Sequence, residues 1–210
     1  MYKRQVIGPM VVAAVAVKNA KLIENIGFKD SKLLSPQKRK ELFYLIKQNY
    51  RYAVEIIGPE KIDEYRRKNQ LNLLNRKAFE KVIIKLNPNI AYVDAADVNE
   101  ERFGREIKVN LTNENDTDVI SMHKADSKIP VVAAASIIAK QTRENEIEEL
   151  KNKIGDFGSG YPSDERTIKF LKSFYSDNNK WPTGTRKSWK TLERIRPVKT
   201  LNDFGVNNDK

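Results

Sequence analysis

Ile90-Ala91-Tyr92-Val93-Asp94-Ala95-Ala96 is the stretch on which the fold class turns. It is a short apolar run interrupted by one acid, and it reads as a strand lying between two helical patterns. Before it, Leu71, Leu74, Phe79, Val82, Ile83 and Leu86 mark a long helix that stops ahead of Asn87-Pro88. After it, residues 100–109 read as a short helix and residues 119–123 as another strand. Pro130–Ile154 follows as a long helix, apolar early and charged late, with Gly155 placed to end it. Toward the N-terminus, residues 10–17 form a valine-rich apolar run that predicts a buried strand. Ser35-Pro36 is a helix start, since serine caps free amides and proline fits the first helical position. Leu42, Phe43, Leu45 and Ile46 give that helix its apolar face. Arg51–Ile57 alternates, Tyr52, Val54 and Ile56 against Arg51, Ala53 and Glu55, as a half-exposed strand ended by Gly58-Pro59. Strands first, then strands alternating with helices, predict an α/β mixed sheet flanked by helices. The expected division is an α/β domain over residues 1–160 and a basic helical appendage over 161–210, with helical segments near 163–176 and 186–196.

The chain has 210 residues, enough to bury a core, and carries 39 Lys and Arg against 28 Asp and Glu, a formal charge of +11. Its longest apolar runs, such as 10–17 and 131–135, are too short to cross a bilayer, and no basic-then-apolar leader opens it, so a cytoplasmic location is expected. Without cysteine there is no disulfide, thiolate metal site or cysteine nucleophile, and the lone His123 excludes a multi-histidine zinc centre. Any metal ligands must therefore be carboxylates. The positive balance suits either a solubilising lysine surface or a polyanion such as nucleic acid. Residues 161–196 concentrate it, with nine basic groups against four acids, interleaved with Tyr161, Phe170, Phe174, Tyr175, Trp181 and Trp189. Base stacking and phosphate contact want that mixture, and a basic amphipathic helix packed on a core also produces it.

Asp94 is the first candidate site residue. A carboxylate in an apolar strand is costly to bury unless a cation or hydrogen bonds compensate it, and the C-terminal ends of strands are where α/β sheets gather their sites. Asp97, three residues on, reads as a turn residue. Asp126, in His123-Lys124-Ala125-Asp126, could cap a helix start or join Asp94 on a hard cation such as Mg²⁺ or Mn²⁺. Tyr161, in a glycine-rich loop, could stack on a sugar or base or be pinned onto the core. Lys29-Asp30-Ser31-Lys32 offers two ammonium groups and a hydroxyl to a phosphate, or is simply a solvated turn.

Taken in order, several segments resemble the successive motifs of one family, ribonuclease HII in its archaeal form. They are Val6-Ile7-Gly8-Pro9-Met10-Val11-Val12-Ala13, Lys29-Asp30-Ser31-Lys32, Tyr92-Val93-Asp94-Ala95-Ala96-Asp97, His123-Lys124-Ala125-Asp126 and Gly158-Ser159-Gly160-Tyr161-Pro162-Ser163-Asp164. Residues 132–140 and Ser188-Trp189-Lys190-Thr191-Leu192 fit as well, and the spacing matches from Val6 to about Ile195. The resemblance implies an RNase H-like fold and hydrolysis of the RNA strand in RNA–DNA hybrids, including single ribonucleotides embedded in DNA. It further implies two divalent ions, Mg²⁺ or Mn²⁺, held by four acids, of which Asp94 and Asp126 match the third and fourth. Tyr161 matches the tyrosine that stacks on the sugar beside the RNA–DNA junction. Ser31, Lys32, Lys124, Arg186, Lys187 and Lys190 are expected on the nucleic acid, and a monomer with no membrane partner is expected.

The sequence departs from the family pattern at its start. Members begin with a strand ending in Asp-Glu-Ala-Gly-Arg-Gly, where this sequence has Met1-Tyr2-Lys3-Arg4-Gln5, and residues 1–23 contain neither Asp nor Glu. The first two acids of the family set, and the loop that reads the ribose 2′-hydroxyl, therefore have no counterpart. In the family that strand is the centre of the sheet, and without it each buried backbone group left unpaired costs about 1–3 kcal/mol. The expectation is an N-terminally truncated product, inactive as it stands, in which residues 1–5 are non-native, adapter-derived sequence. The alternative is a degenerate paralogue that binds hybrid duplex without cutting it.

Overall fold

Valine and alanine fill β1 (Met10–Ala16), which runs antiparallel to β2 (Arg51–Ile57) with Met10 opposite Ile57 and Ala16 opposite Arg51. The structure, a computed structural model, describes residues 5–19, 23, 34–111 and 117–196. β3 (Ile90–Asp94) pairs in parallel with β4 (Asp118–Met122), so that Ile90 faces Asp118 and Asp94 faces Met122. Among the described residues these are two separate two-stranded sheets, and no ladder joins β1 to β3. The chain divides into two compact units, Pro9–Glu146, and Met1–Gly8 together with Ile147–Lys210.

Within the first unit, α1 (Pro36–Asn49) starts as expected: Ser35 Oγ accepts the Lys38 N–H at 3.2 Å, with proline in the first turn. Leu42, Phe43 and Ile46 are buried against Val15 of β1 and Ala133, Ala134, Ile137 and Ile138 of the long helix described below, while Leu45 is exposed. The alternation of β2 is read only in part from sequence. Tyr52 and Val54 do pack on this core, but Ile56 is exposed, and Ala53 from the opposite set is buried with Ile57. Gly58-Pro59 does more than end β2. Proline there opens α2 (Pro59–Arg67), a helix the sequence reading did not separate. α3 (Leu71–Leu86) ends at Asn87, whose left-handed φ of 48° lets its N–H close on the Ile83 carbonyl at 2.8 Å. α4 (Glu100–Leu111) lies on β3 and β4, burying Phe103, Ile107 and Leu111 with Ile83, Ala91 and Val93. Gly104 permits that approach, since a Cβ there would sit 2.7 Å from Ser121 Cβ. A four-residue turn of helix, α5 (Ala125–Lys128), follows β4 and leads into α6 (Pro130–Ile154). Gly155, at φ 93°, stops α6 and donates to the Lys151 carbonyl at 2.8 Å.

The second unit carries α7 (Glu165–Asn178) and α8 (Lys190–Ile195), the latter much shorter than the segment expected over 186–196. Its interior holds Val6, Ile7, Phe157, Leu171, Tyr175, Trp189 and Leu192. No described helix is long and apolar enough to cross a membrane.

Phe103 is fully buried and meets Phe79 edge-on at 5.3 Å between ring centroids. Phe103→Ala is expected to destabilise the first unit by about 3–5 kcal/mol, read as a lowered urea midpoint with an unchanged slope.

Candidate active site and nucleic-acid interface

Asp94 stands at the last position of β3, half-buried, because Ala91 and Val93 turn inward and the strand ends there. Parallel pairing carries β4 to the same level, and the Ala95 N–H donates to the Met122 carbonyl at 3.0 Å. The chain then turns through Lys124, whose positive φ of 57° reverses it into α5. The Ala125 N–H donates to Asp94 Oδ1 at 3.1 Å, which ties the end of β3 to the residue next to Asp126. Asp126 is buried in the first turn of α5. The two acids are thus brought to one end of the β3–β4 ladder, with Lys124 exposed beside them. His123 belongs to the frame: its N–H donates to Glu100 Oε2 at 2.5 Å and its Nε2 lies 3.1 Å from the Val98 carbonyl.

Asp97 is a structural acid, as its reading as a turn residue implied. Its Oδ1 accepts from the Val98 N–H at 2.6 Å, and its Oδ1 and Oδ2 both accept from Nη2 of Arg102, at 2.7 and 2.8 Å. Burial works to raise its pKa, but the Arg102 guanidinium and the Asn99 and Val98 amides outweigh it and hold the carboxyl below its usual range.

The donor set at Asp94 and Asp126 suits a hard divalent cation, which takes oxygen ligands and accepts one or two carboxylates, with water and phosphate filling the remaining positions. Among the described residues no group of three or more histidines and acids gathers that could by itself hold a metal ion.

The second unit holds Tyr161 in a tightly built loop. Gly158 and Gly160 have φ of 74° and 77°, conformations that glycine adopts without strain. The Gly160 carbonyl accepts from the N–H groups of Val6 (2.8 Å) and Ile7 (3.1 Å), and its N–H donates to Thr167 Oγ1 at 3.1 Å. Asp164 fastens the other side, accepting from the Ser159 N–H at 2.8 Å and capping α7 through the Arg166 N–H at 3.0 Å. The Arg166 guanidinium and these amides hold its carboxyl well below the usual range. Tyr161 itself is half-buried. The signal for this role of Asp164 in the sequence is an acid just ahead of a helical pattern, which marks a helix cap. Lys187 and Lys190 are exposed, but Arg186 is only 1% exposed, with its Nε–H donating to the Gly8 carbonyl at 3.0 Å. Ser31 and Lys32 lie outside the described residues.

Two outcomes are expected from this geometry. A Cβ at Gly160 would lie 2.7 Å from the Ile7 carbonyl oxygen at a φ that side chains rarely adopt, so Gly160→Ala should cost about 1–3 kcal/mol in chemical denaturation. Because the folded pKa of Asp97 is lowered, its pairing contributes stability that is complete above the free carboxyl value of about 3.9 and is lost as pH falls through the folded value. Arg102→Gln should therefore lower Tm at neutral pH and flatten the fall of Tm below about pH 4, measured by thermal melts across pH.

Comparison with known proteins bears directly on these features. The family model described as Ribonuclease HII matches residues 3–192. The ribonuclease HII of Methanoregula boonei is 44% identical over 198 residues, covering 94% of this chain and 92% of that protein. Among solved structures, the PCNA:RNase HII complex from Archaeoglobus fulgidus superposes with a TM-score of 0.84 at 45% identity, covering 97% of both chains. Bst-RNase HIII in complex with Mn²⁺ shares the fold at a TM-score of 0.69 and 22% identity, covering 93% of this chain and 66% of that one. The α/β arrangement described above is accordingly the RNase H-like one, and the chain belongs to the ribonuclease HII family of ribonuclease H-type endonucleases.

Proposed function

We propose that this protein acts, as a monomer, on RNA–DNA hybrid duplex and on single ribonucleotides embedded in DNA, with Asp94 and Asp126 as two of the carboxylates that hold its divalent ions. The observation that carries the reading is the Ala125 N–H bond to Asp94 Oδ1, which brings both acids to one strand end. The amide orients the Asp94 carboxylate, and burial in the first turn of α5 restricts the Asp126 carboxylate. Mg²⁺ or Mn²⁺, when bound, supplies an activated water and stabilises the departing 3′-oxygen. Lys124, exposed at the turn beside the acids, contacts a phosphate. Tyr161, presented by its glycine-rich loop, stacks on the sugar beside the RNA–DNA junction, and Lys187 and Lys190 grip the backbone. Ser31 and Lys32 contribute further phosphate contacts. The basic stretch over 161–196 is the substrate-gripping part of the molecule.

Two carboxylates are half of the family's four, so we propose that this sequence binds the hybrid and cleaves it weakly or not at all. The test compares this chain with a version in which Met1–Gln5 is replaced by a strand ending in the family's Asp-Glu-Ala-Gly-Arg-Gly segment. Cleavage of a duplex carrying one ribonucleotide, in Mg²⁺ or Mn²⁺, should appear only in the extended version. There, Asp94→Asn or Asp126→Asn should lower the rate by at least about 100-fold, since even outer partners of metal ligands are worth 10–100-fold. Equal cleavage by both versions would refute the ligand set. Hybrid binding by both, with cleavage by neither, would favour a non-catalytic duplex-binding protein.

A further inference from the structure

Arg186 is among the largest side chains wholly removed from solvent, and an arginine in that setting needs an account. Its guanidinium lies 5.2 Å from the centroid of the Trp189 ring, and its Nε–H reaches the Gly8 carbonyl at 3.0 Å. Its own N–H donates to the Val6 carbonyl at 2.8 Å. The neighbouring residues complete the seam: Thr185 forms a β-bridge to Ile7, and the Gly8 N–H donates to the Gly184 carbonyl at 2.8 Å. Val6-Ile7-Gly8 is therefore a strap, held along one side by Gly184-Thr185-Arg186. Its N–H groups at Val6 and Ile7 point to the single carbonyl of Gly160, the residue before Tyr161. There is no slack at that junction, because a Cβ on Gly160 would already collide with the Ile7 carbonyl.

We propose that Arg186 is a positioning residue for Tyr161, fixing the 158–161 loop through the Val6–Gly8 strap instead of contacting nucleic acid itself. The inference rests on the assignment of Tyr161 to the duplex contact and explains why one of the basic residues in the gripping stretch is withheld from the surface. A buried guanidinium that left its carbonyl and ring partners for a phosphate would unfasten the strap it holds.

The full chain labelled with 3-fluorotyrosine provides a test that needs no cleavage. Tyr161→Phe assigns the Tyr161 ¹⁹F resonance in the free protein. Arg186→Gln is expected to shift that resonance while those of Tyr44 and Tyr92, in the other unit, stay in place. Arg186→Lys, which preserves the buried charge and can still donate to Gly8, should move it less and carries the same test in a milder variant. A Tyr161 resonance unchanged in both variants overturns the proposal. Binding then separates this inference from the reading it rests on, using a DNA duplex with one ribonucleotide in the absence of divalent ions. Tyr161→Ala should weaken binding by about threefold or more in the wild-type background and by less than about twofold in the Arg186→Gln background. Equal effects in the two backgrounds would show that Arg186 does not act through Tyr161. If Tyr161→Ala changes nothing while the resonance still moves, the coupling stands and the assignment of Tyr161 to the duplex falls.

Discussion

Parallel pairing brings the ends of β3 and β4 out on the same side, and the acids depend on that. With Asp94 opposite Met122, a turn of only two residues separates the end of β4 from Ala125. An antiparallel partner would have carried its chain end away from Asp94. The turn closes because Lys124 accepts a left-handed φ, a conformation that costs a lysine about 1–3 kcal/mol and so needs the surrounding bonds to hold it. Those bonds are the Ala125 N–H on Asp94 and the Glu100 carboxylate on the His123 N–H. The packing of α4 on the two strands, through Phe103, Ile107 and Leu111, buries the face of the ladder that carries Ala91 and Val93. A change far from the acids, in that small core, therefore reaches them through the register.

The basic aromatic stretch that suggested nucleic acid turns out to contain two populations of side chain. Trp189 and Tyr175 are buried, Tyr175 lies 4.4 Å from the Trp181 ring centre, and Phe157, Phe170 and Phe174 form a tilted series at 5.9 Å spacings. Arg196 donates to the Tyr175 hydroxyl at 2.8 Å. These aromatics build the unit, and they leave Lys187 and Lys190 facing solvent. Composition could not separate the two sets, since a ring that stacks on a base and one that packs on a neighbour are the same residue in a sequence.

What was legible in the sequence was what local backbone chemistry decides. Ser35-Pro36, Asn87-Pro88 and Gly155 each mark a helix boundary through their own conformational limits, and the structure places ends there. Asp94 stood out because an acid breaks an apolar strand, whereas Asp126 had a capping role as an equally good explanation and gained its assignment from the family resemblance. Gly58-Pro59 was ambiguous in kind, since proline both ends a strand and opens a helix. α5 was hidden by its length and by an entry through a lysine in a glycine-like conformation. Arg186 was illegible for a different reason. Arginine is read as surface by default, and the Gly8 carbonyl that accepts its Nε–H lies far away in the chain.

That distance has a consequence for how the molecule reaches its native state. The bond from Arg186 to Gly8 spans 178 positions of sequence. Helices close over a few residues and β1 pairs with β2 across residues 17–50, but the strap must wait until its partners near the C-terminus exist and have been brought home against the entropy of a much larger ring. During synthesis, residues 6–8 are made long before residues 184–186 and must wait for them. The loop that presents Tyr161 is thus among the final parts to set, and nascent or C-terminally shortened chains would carry a formed acidic strand end before they carry an ordered tyrosine loop.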